Sequence, residues 1–295
     1  MKRCLVGCEE PWPYPRRQLS YAPPLPDTDT TESNPLTLLE SAGIVFATFD
    51  ERTQDSGNIS YGMEVDGRRY FVKTAGRPDD SKPYFDHAER ISALRNAVSL
   101  AESSQHRALP RLRQVIEAPT GPMLIYDWVT GDLVQGCLDR VRSLQASEIG
   151  ALLTEIYDLH RKLASLGWIA VDFYDGAMIY DFDRLRVHAI DLDSYHTGPF
   201  TNRMGRMFGS KRFMAPEEFE LGATIDERTT VFTMGRTASV LMSDGSLDSE
   251  PFRGTDRRLD VMLRACAEHP DDRFQSVAEL YDAWMDAERH LAPEE

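Results

Sequence analysis

Cysteine is scarce in this 295-residue chain: Cys4, Cys8, Cys137 and Cys266 are far apart or lack a second pair, and no CxxC pair or Cys/His cluster has zinc-ligand spacing. A disulfide scaffold and a zinc module are therefore not expected, and a reducing cytoplasm is the expected compartment. Positive charge is also short, with 33 Lys and Arg against 48 Asp and Glu and a formal net charge of −15. That field repels phosphodiester backbones and anionic bilayers, which argues against a nucleic-acid or membrane-surface binder. A nucleotide remains compatible, because local groups and Mg²⁺ can overcome the global field. No apolar run approaches the roughly 20 residues of a membrane span, so no membrane insertion is expected. Met1–Glu10 lacks the apolar core of a secretory signal. No internal repeat is visible.

What is present is enough hydrophobic residue, 41%, for a sizeable core. Pro11–Pro35 is rich in Pro, Asp, Thr and Ser, which favours extended backbone, so residues 1–36 are read as a flexible leader whose Trp12, Tyr14 and Tyr21 are available for docking. From Gly43 the pattern turns β-like: Ile44–Phe49, Ile59–Val65 and Arg69–Lys73, the last two joined by the hairpin signal Asp66-Gly67. Asp86–Glu102 places Ile91, Leu94, Val98 and Ala101 at helical spacing, and Met123–Val129 reads as a buried strand. Beyond Asp132 the chain is mainly helical. Ser147 is the predicted N-cap of a helix carrying the stripe Ile149, Leu152, Leu153, Ile156, Leu159 and Leu163, with Gly167 beyond its end. Two short strands, Met178–Tyr180 and Val187–Ile190, precede helices near Pro216–Leu221, Thr229–Met242, Asp256–Glu268 and Ser276–Leu291. The predicted class is α+β.

Phosphoryl transfer needs a glycine-containing loop over the phosphates, a cation on them, a carboxylate at the attacking hydroxyl and carboxylates for Mg²⁺. The chain offers these in order: Gly57-Asn58-Ile59-Ser60-Tyr61-Gly62, Tyr70-Phe71-Val72-Lys73, Met123–Val129, Val171-Asp172-Phe173 and Ile190-Asp191-Leu192-Asp193. Met214-Ala215-Pro216-Glu217 and Asp272-Arg273-Phe274 follow. In this order the segments resemble the protein kinases, especially bacterial serine/threonine kinases of the eukaryotic type, from about Ile44 to Trp284.

The resemblance implies a bilobed fold, with an N-lobe over residues 37–130 and a C-lobe over 131–295. It implies ATP bound by Gly57, Ile59, Gly62 and Lys73, with Tyr126 as gatekeeper, the backbone of Asp127 and Val129 at the adenine edge, and Asp132 at the ribose. Asp172 would orient the attacking hydroxyl, and Asp191 with Asp193 would hold Mg²⁺. It further implies a Glu217–Arg273 structural ion pair and a protein substrate or partner.

Several positions depart from the family's pattern. Ala177 stands where the metal-binding asparagine is usual, Asp193 where the glycine after the metal aspartate is, Ala170-Val171 where His-Arg is, and Thr230 where an aspartate is. Asp193, or secondarily Asp175, is the expected replacement oxygen donor, and Glu89 the expected partner of Lys73. The missing arginine before Asp172 implies activity independent of activation-loop phosphorylation. Three functions stay open: a protein Ser/Thr kinase, a pseudokinase acting as a nucleotide-binding regulatory module, and a small-molecule phosphotransferase, against which the Ala215-Pro216-Glu217 segment counts.

Overall fold

The computed structural model describes residues 26–53, 56–79, 85–248 and 250–289. The leader up to residue 25, with its three aromatics and with Cys4 and Cys8, lies outside these residues. The fold is α+β: one small antiparallel sheet followed by a mainly helical half. No helix among the described residues is long and apolar enough to cross a membrane.

Strands β1 (Ile44–Phe49), β2 (Ile59–Val65) and β3 (Arg68–Thr74) form a meander; β4 (Leu112–Ala118) and β5 (Gly121–Asp127) complete the order β1-β2-β3-β5-β4. Asp66 and Gly67 both have positive φ, 51° and 75°, the backbone a two-residue hairpin turn of this hand requires. The structure adds helix α1 (Pro35–Ala42) just where the leader was expected to end. Its N-terminus is set by Asn34, whose side chain accepts from the Leu36 amide at 3.0 Å, and by Pro35 in the first turn.

Residues 26–31, expected as mobile tail, run along the free edge of β4. The Thr31 amide donates to the Glu117 carbonyl and the Glu117 amide to the Asp29 carbonyl, each at 2.8 Å. The Gln114 side chain fixes the Pro26 and Thr28 carbonyls.

One face of the sheet packs Tyr61, Met63, Val72, Ile116 and Met123 around Leu39 of α1. The other receives α2 (His87–Ser103), whose fully buried positions are Arg90, Leu94, Ala97 and Leu100 rather than the predicted stripe Ile91, Leu94, Val98 and Ala101. The reason is that α2 has two neighbours. Leu94 and Ala97 meet Ala75 and Leu124 of the sheet, while Leu100 joins the core of the helical half. Arg90, 2% exposed, donates to the carbonyls of Ala75, Arg77 and Phe85, and so shapes the loop after β3.

The helical half begins after β6 (Asp132–Leu133) and the short helix α3 (Leu138–Arg142). Its centre is α4 (Ala146–Ser165), which buries the whole predicted leucine and isoleucine stripe. The N-cap is Gln145, two residues before the predicted Ser147, because Glu148 reaches back to the Gln145 amide at 2.8 Å and closes a capping box. Strands β7 (Trp168–Ile169), β8 (Met178–Asp181) and β9 (Arg186–Ala189) follow, then helices α5 (Glu227–Met242), α6 (Asp256–Ala265) and α7 (Val277–Arg289). Tyr157 of α4 donates to the Met234 carbonyl of α5 at 2.9 Å and meets Trp284 of α7 edge-on, 5.2 Å between ring centroids.

Glu217 and Arg273 form the expected buried pair, at 2.7 and 2.9 Å. Arg273 is fully buried and also donates to the carbonyls of Ala267, Arg228 and Glu268, while Thr229 donates to Glu217. Removing one partner of such a pair strands the other's charge. Arg273→Ala is expected to lower unfolding free energy by about 3–5 kcal/mol in chemical denaturation; a wild-type midpoint would show that the pair contributes nothing.

Candidate functional site

Lys73 comes from β3, the central strand of the five-stranded sheet, opposite Ser60 on β2 and Leu124 on β5. It is 8% exposed. Its Nζ donates to Asp191 Oδ1 and to Asp193 Oδ2, joining the sheet to the turn that follows β9. Leu192 between them is buried in the core of the helical half. Burial alone would depress Lys73, but Asp191 and Asp193 outweigh it and keep the amine protonated. The attraction of Lys73 holds Asp191 below the usual carboxylate range, while burial pushes Asp193 up.

The turn is fixed from three sides. Asn96 of α2 donates to the carbonyls of Asp193 and Tyr195, at 2.8 and 2.6 Å. The Tyr195 hydroxyl donates to His160 Nε2 at 2.6 Å, because His160 Nδ1 carries the proton given to the Ile156 carbonyl. The Ile190 amide donates to the Ala177 carbonyl.

Asp172 follows β7. The Ala170 amide, two residues before it, donates to Thr230 Oγ1 at 3.0 Å, so a neutral hydroxyl on α5 anchors this loop. Phe173 packs edge-on against His160 at 4.6 Å. Gly209 lies against the carboxylate: a β-carbon there would sit 3.4 Å from Asp172 Oδ1. Asp172 and Asp191 have φ of 59° and 60°, two of four non-glycine residues with positive φ among those described. Backbone held in this sparsely populated region at two carboxylates in one site marks a geometry imposed by the surrounding fold.

Several expectations are corrected. Only Gly57, φ 79°, lies in the connection between β1 and β2; Ile59 and Gly62 are inside β2. The space at Gly62 is filled by the Phe46 ring, 2.6 Å from where a β-carbon would be, so the missing side chain at this position makes room for an aromatic ring. A second glycine that the sequence reading passed over, Gly76 (φ 72°), approaches Gly57 so closely that a β-carbon would lie 2.1 Å from its carbonyl oxygen. Glu89 does not reach Lys73. It closes the capping box of α2, accepting from the Asp86 amide at 2.8 Å. Asp175, 1% exposed, is held by Arg212 at 2.7 and 2.8 Å and is not a free oxygen donor.

Tyr126 is half-buried beside the Lys73 cluster, where burial, reinforced by Asp193, raises its phenol. The Asp127 amide is taken by the Arg111 carbonyl and its carboxylate by Arg113, so that amide does not face an adenine. Val129 is half-buried, and the exposed Asp132 pairs with Arg140 at 2.8 Å. Asn96, Gly76 and Arg90 were missed because a polar or small residue inside a helix or loop carries no periodic signal.

No cluster of three or more His, Cys, Asp or Glu side chains placed to hold a metal occurs among the described residues. Two adjacent carboxylates do, and Mg²⁺ is typically held by one or two carboxylates together with substrate phosphates and water, so the donor set fits that ion. No protein-family model matches the chain, and no curated protein matches it.

Two buried groups near the site titrate in opposite senses. Burial lowers His160 to about 4 from 6.5, so its contribution to stability is complete above pH 6.5 and is lost as pH falls through 4. Burial raises Glu218 to about 7 from 4.5, so its contribution is complete below pH 4.5 and is lost as pH rises through 7. The two offset one another in the wild type. Stability against pH should therefore be compared in single variants: His160→Gln should remove an acid-side loss of about 3 kcal/mol, and Glu218→Gln should flatten the decline towards pH 7. Slopes unchanged in both would refute these assignments.

Proposed function

We propose that the chain is an ATP- and Mg²⁺-dependent phosphotransferase with a bilobed, protein-kinase-like fold, acting on a Ser or Thr hydroxyl of a protein in the cytoplasm. The observation that carries this reading is the convergence of Lys73 with Asp191 and Asp193, 118 and 120 residues away in the chain, in a site that also holds Asp172 on a backbone-strained turn. Bound Mg-ATP supplies the electrophilic phosphorus and neutralises its phosphate charge.

The chain's own groups have separable tasks. Lys73, held protonated by two carboxylates, is the cation for the phosphates. Asp191, with its side chain 60% exposed, and Asp193, 12% exposed, present the oxygens for the metal. Asp172 orients the attacking hydroxyl and accepts its proton. Tyr126, which stands beside the Lys73 cluster, and Val129, which follows β5, serve as the base-binding wall, and Gly57 with Gly76 brings the connections before β2 and after β3 close together.

A second reading, a nucleotide-binding pseudokinase, is favoured by two observations. Ala177, 2% exposed, offers no metal ligand, and the capping role of Glu89 leaves Lys73 without a partner on α2. ADP formation from Mg-ATP separates the two readings. Wild type should turn over, and Asp172→Asn, which tolerates the left-handed backbone, should lose at least about a hundredfold. Turnover in neither, with Mg-ATP binding retained, selects the pseudokinase. In the same series Asp191→Ala should abolish Mg²⁺-dependent nucleotide binding; an unchanged metal dependence would remove Asp191 from the metal site.

A further inference from the structure

Acidic residues are unevenly placed. Asp and Glu number 48 in 295 residues, yet none occurs in the 23 residues from Ser194 to Pro216, which carry Arg203, Arg206, Lys211 and Arg212. This span leads from the Asp193 turn past Asp172, against which Gly209 lies.

Its first turn is built around Asn202, 1% exposed. The Asn202 side chain donates to the carbonyls of Gly205 and Glu217, at 2.5 and 3.2 Å, and accepts from the Met204 amide at 2.9 Å. With Asn202 turned inward, Arg203, Met204 and Arg206 are exposed. Met207 returns to the interior, packing with Ile169, Val171, Met214 and Ile225. The cations are thus displayed from a turn with a defined buried anchor.

Arg203, Arg206 and Lys211 are exposed and make no ion pair among the described residues, whereas Arg212 is matched by the buried Asp175. Apolar groups lie among them: Met204 is 53% and Phe208 36% exposed. Three cations without an ion pair among the described residues, on the segment whose Gly209 lies against Asp172, favour an anionic partner. The net charge of −15 restricts which one, because an extended polyanion reaches past this segment onto the rest of the chain, whose excess of acidic residues repels it wherever they come within the roughly 8 Å Debye length at physiological salt. A short acidic peptide meets both conditions; a nucleic acid or an anionic bilayer meets only the first.

We propose that Arg203, Met204, Arg206, Phe208 and Lys211 dock an acidic segment of the protein substrate, with an apolar residue among its acids, and so bring its Ser or Thr hydroxyl to Asp172. This rests on the phosphotransferase reading above.

The test uses the full chain and three labelled Ser-centred peptides of one length, flanked by Glu and Leu, Gln and Leu, or Lys and Leu, titrated by fluorescence anisotropy. The Glu peptide should bind at least about tenfold more tightly than the Gln peptide, and the Lys peptide most weakly. The Arg203→Gln/Arg206→Gln/Lys211→Gln variant should lose the preference, with Arg206→Gln alone reducing it should the triple variant fail to fold. Arg257→Gln, exposed on α6, should keep it. Equal binding of the Glu and Gln peptides, or a preference that survives the triple substitution, overturns the proposal. So does displacement of the Glu peptide by a single-stranded oligonucleotide of equal charge as readily as by unlabelled Glu peptide. Phosphate transfer from Mg-ATP is scored on the same peptides. Acid-selective binding without transfer keeps the docking surface and removes the phosphotransferase, while transfer without acid preference removes the docking surface alone.

Discussion

A single ammonium group shared by two carboxylates joins the sheet to the helical half. Lys73 is buried, and an unpaired lysine there would lose its proton rather than remain charged without solvent. Asp191 and Asp193 prevent that. The constraint spreads outward. Leu192 roots the turn in the core, Asn96 ties it to α2, and the Tyr195–His160 hydrogen bond ties it to α4, where Phe173 packs beside Asp172. The two backbone-strained carboxylates are thereby held by one connected set of contacts.

That connectivity explains what the sequence could and could not reveal. The first three strands, the Asp66-Gly67 turn and the buried face of α4 follow from periodicity and turn chemistry; the first two strands have the expected bounds, the third is longer by one residue at each end, and the N-cap of α4 lies two residues earlier. The Glu217–Arg273 pair was legible from motif resemblance, since its partners lie far apart in the chain. The approach of Asp193 to Lys73 was less so. The expected helix partner Glu89 sits at the N-terminus of α2, where local hydrogen bonding with Asp86 claims it. The buried face of α2 was misjudged because a helix between two partners has no single apolar stripe. Gly62 falls in the strand expected over Ile59–Val65, but spacing alone does not reveal that it yields space to a ring across the strand.

Thr230 shows how a buried donor is satisfied without charge. Its hydroxyl accepts the hydrogen bond of the Ala170 amide at no cost in buried charge. The loop carrying Asp172 therefore keeps its attachment to α5 without a titrating group at that contact.

The segment running beside β4 has a further consequence for the molecule's behaviour in crowded solution. A five-stranded sheet has two unsaturated borders, each a template for pairing with another chain. Residues 29–31 occupy the β4 border, so among the described residues β1 alone remains open, and it is there that Ile44 and Phe46 are exposed. Self-association through the sheet, where it occurs, is thus directional: it can add a strand on one side only, giving pairs rather than extended ribbons.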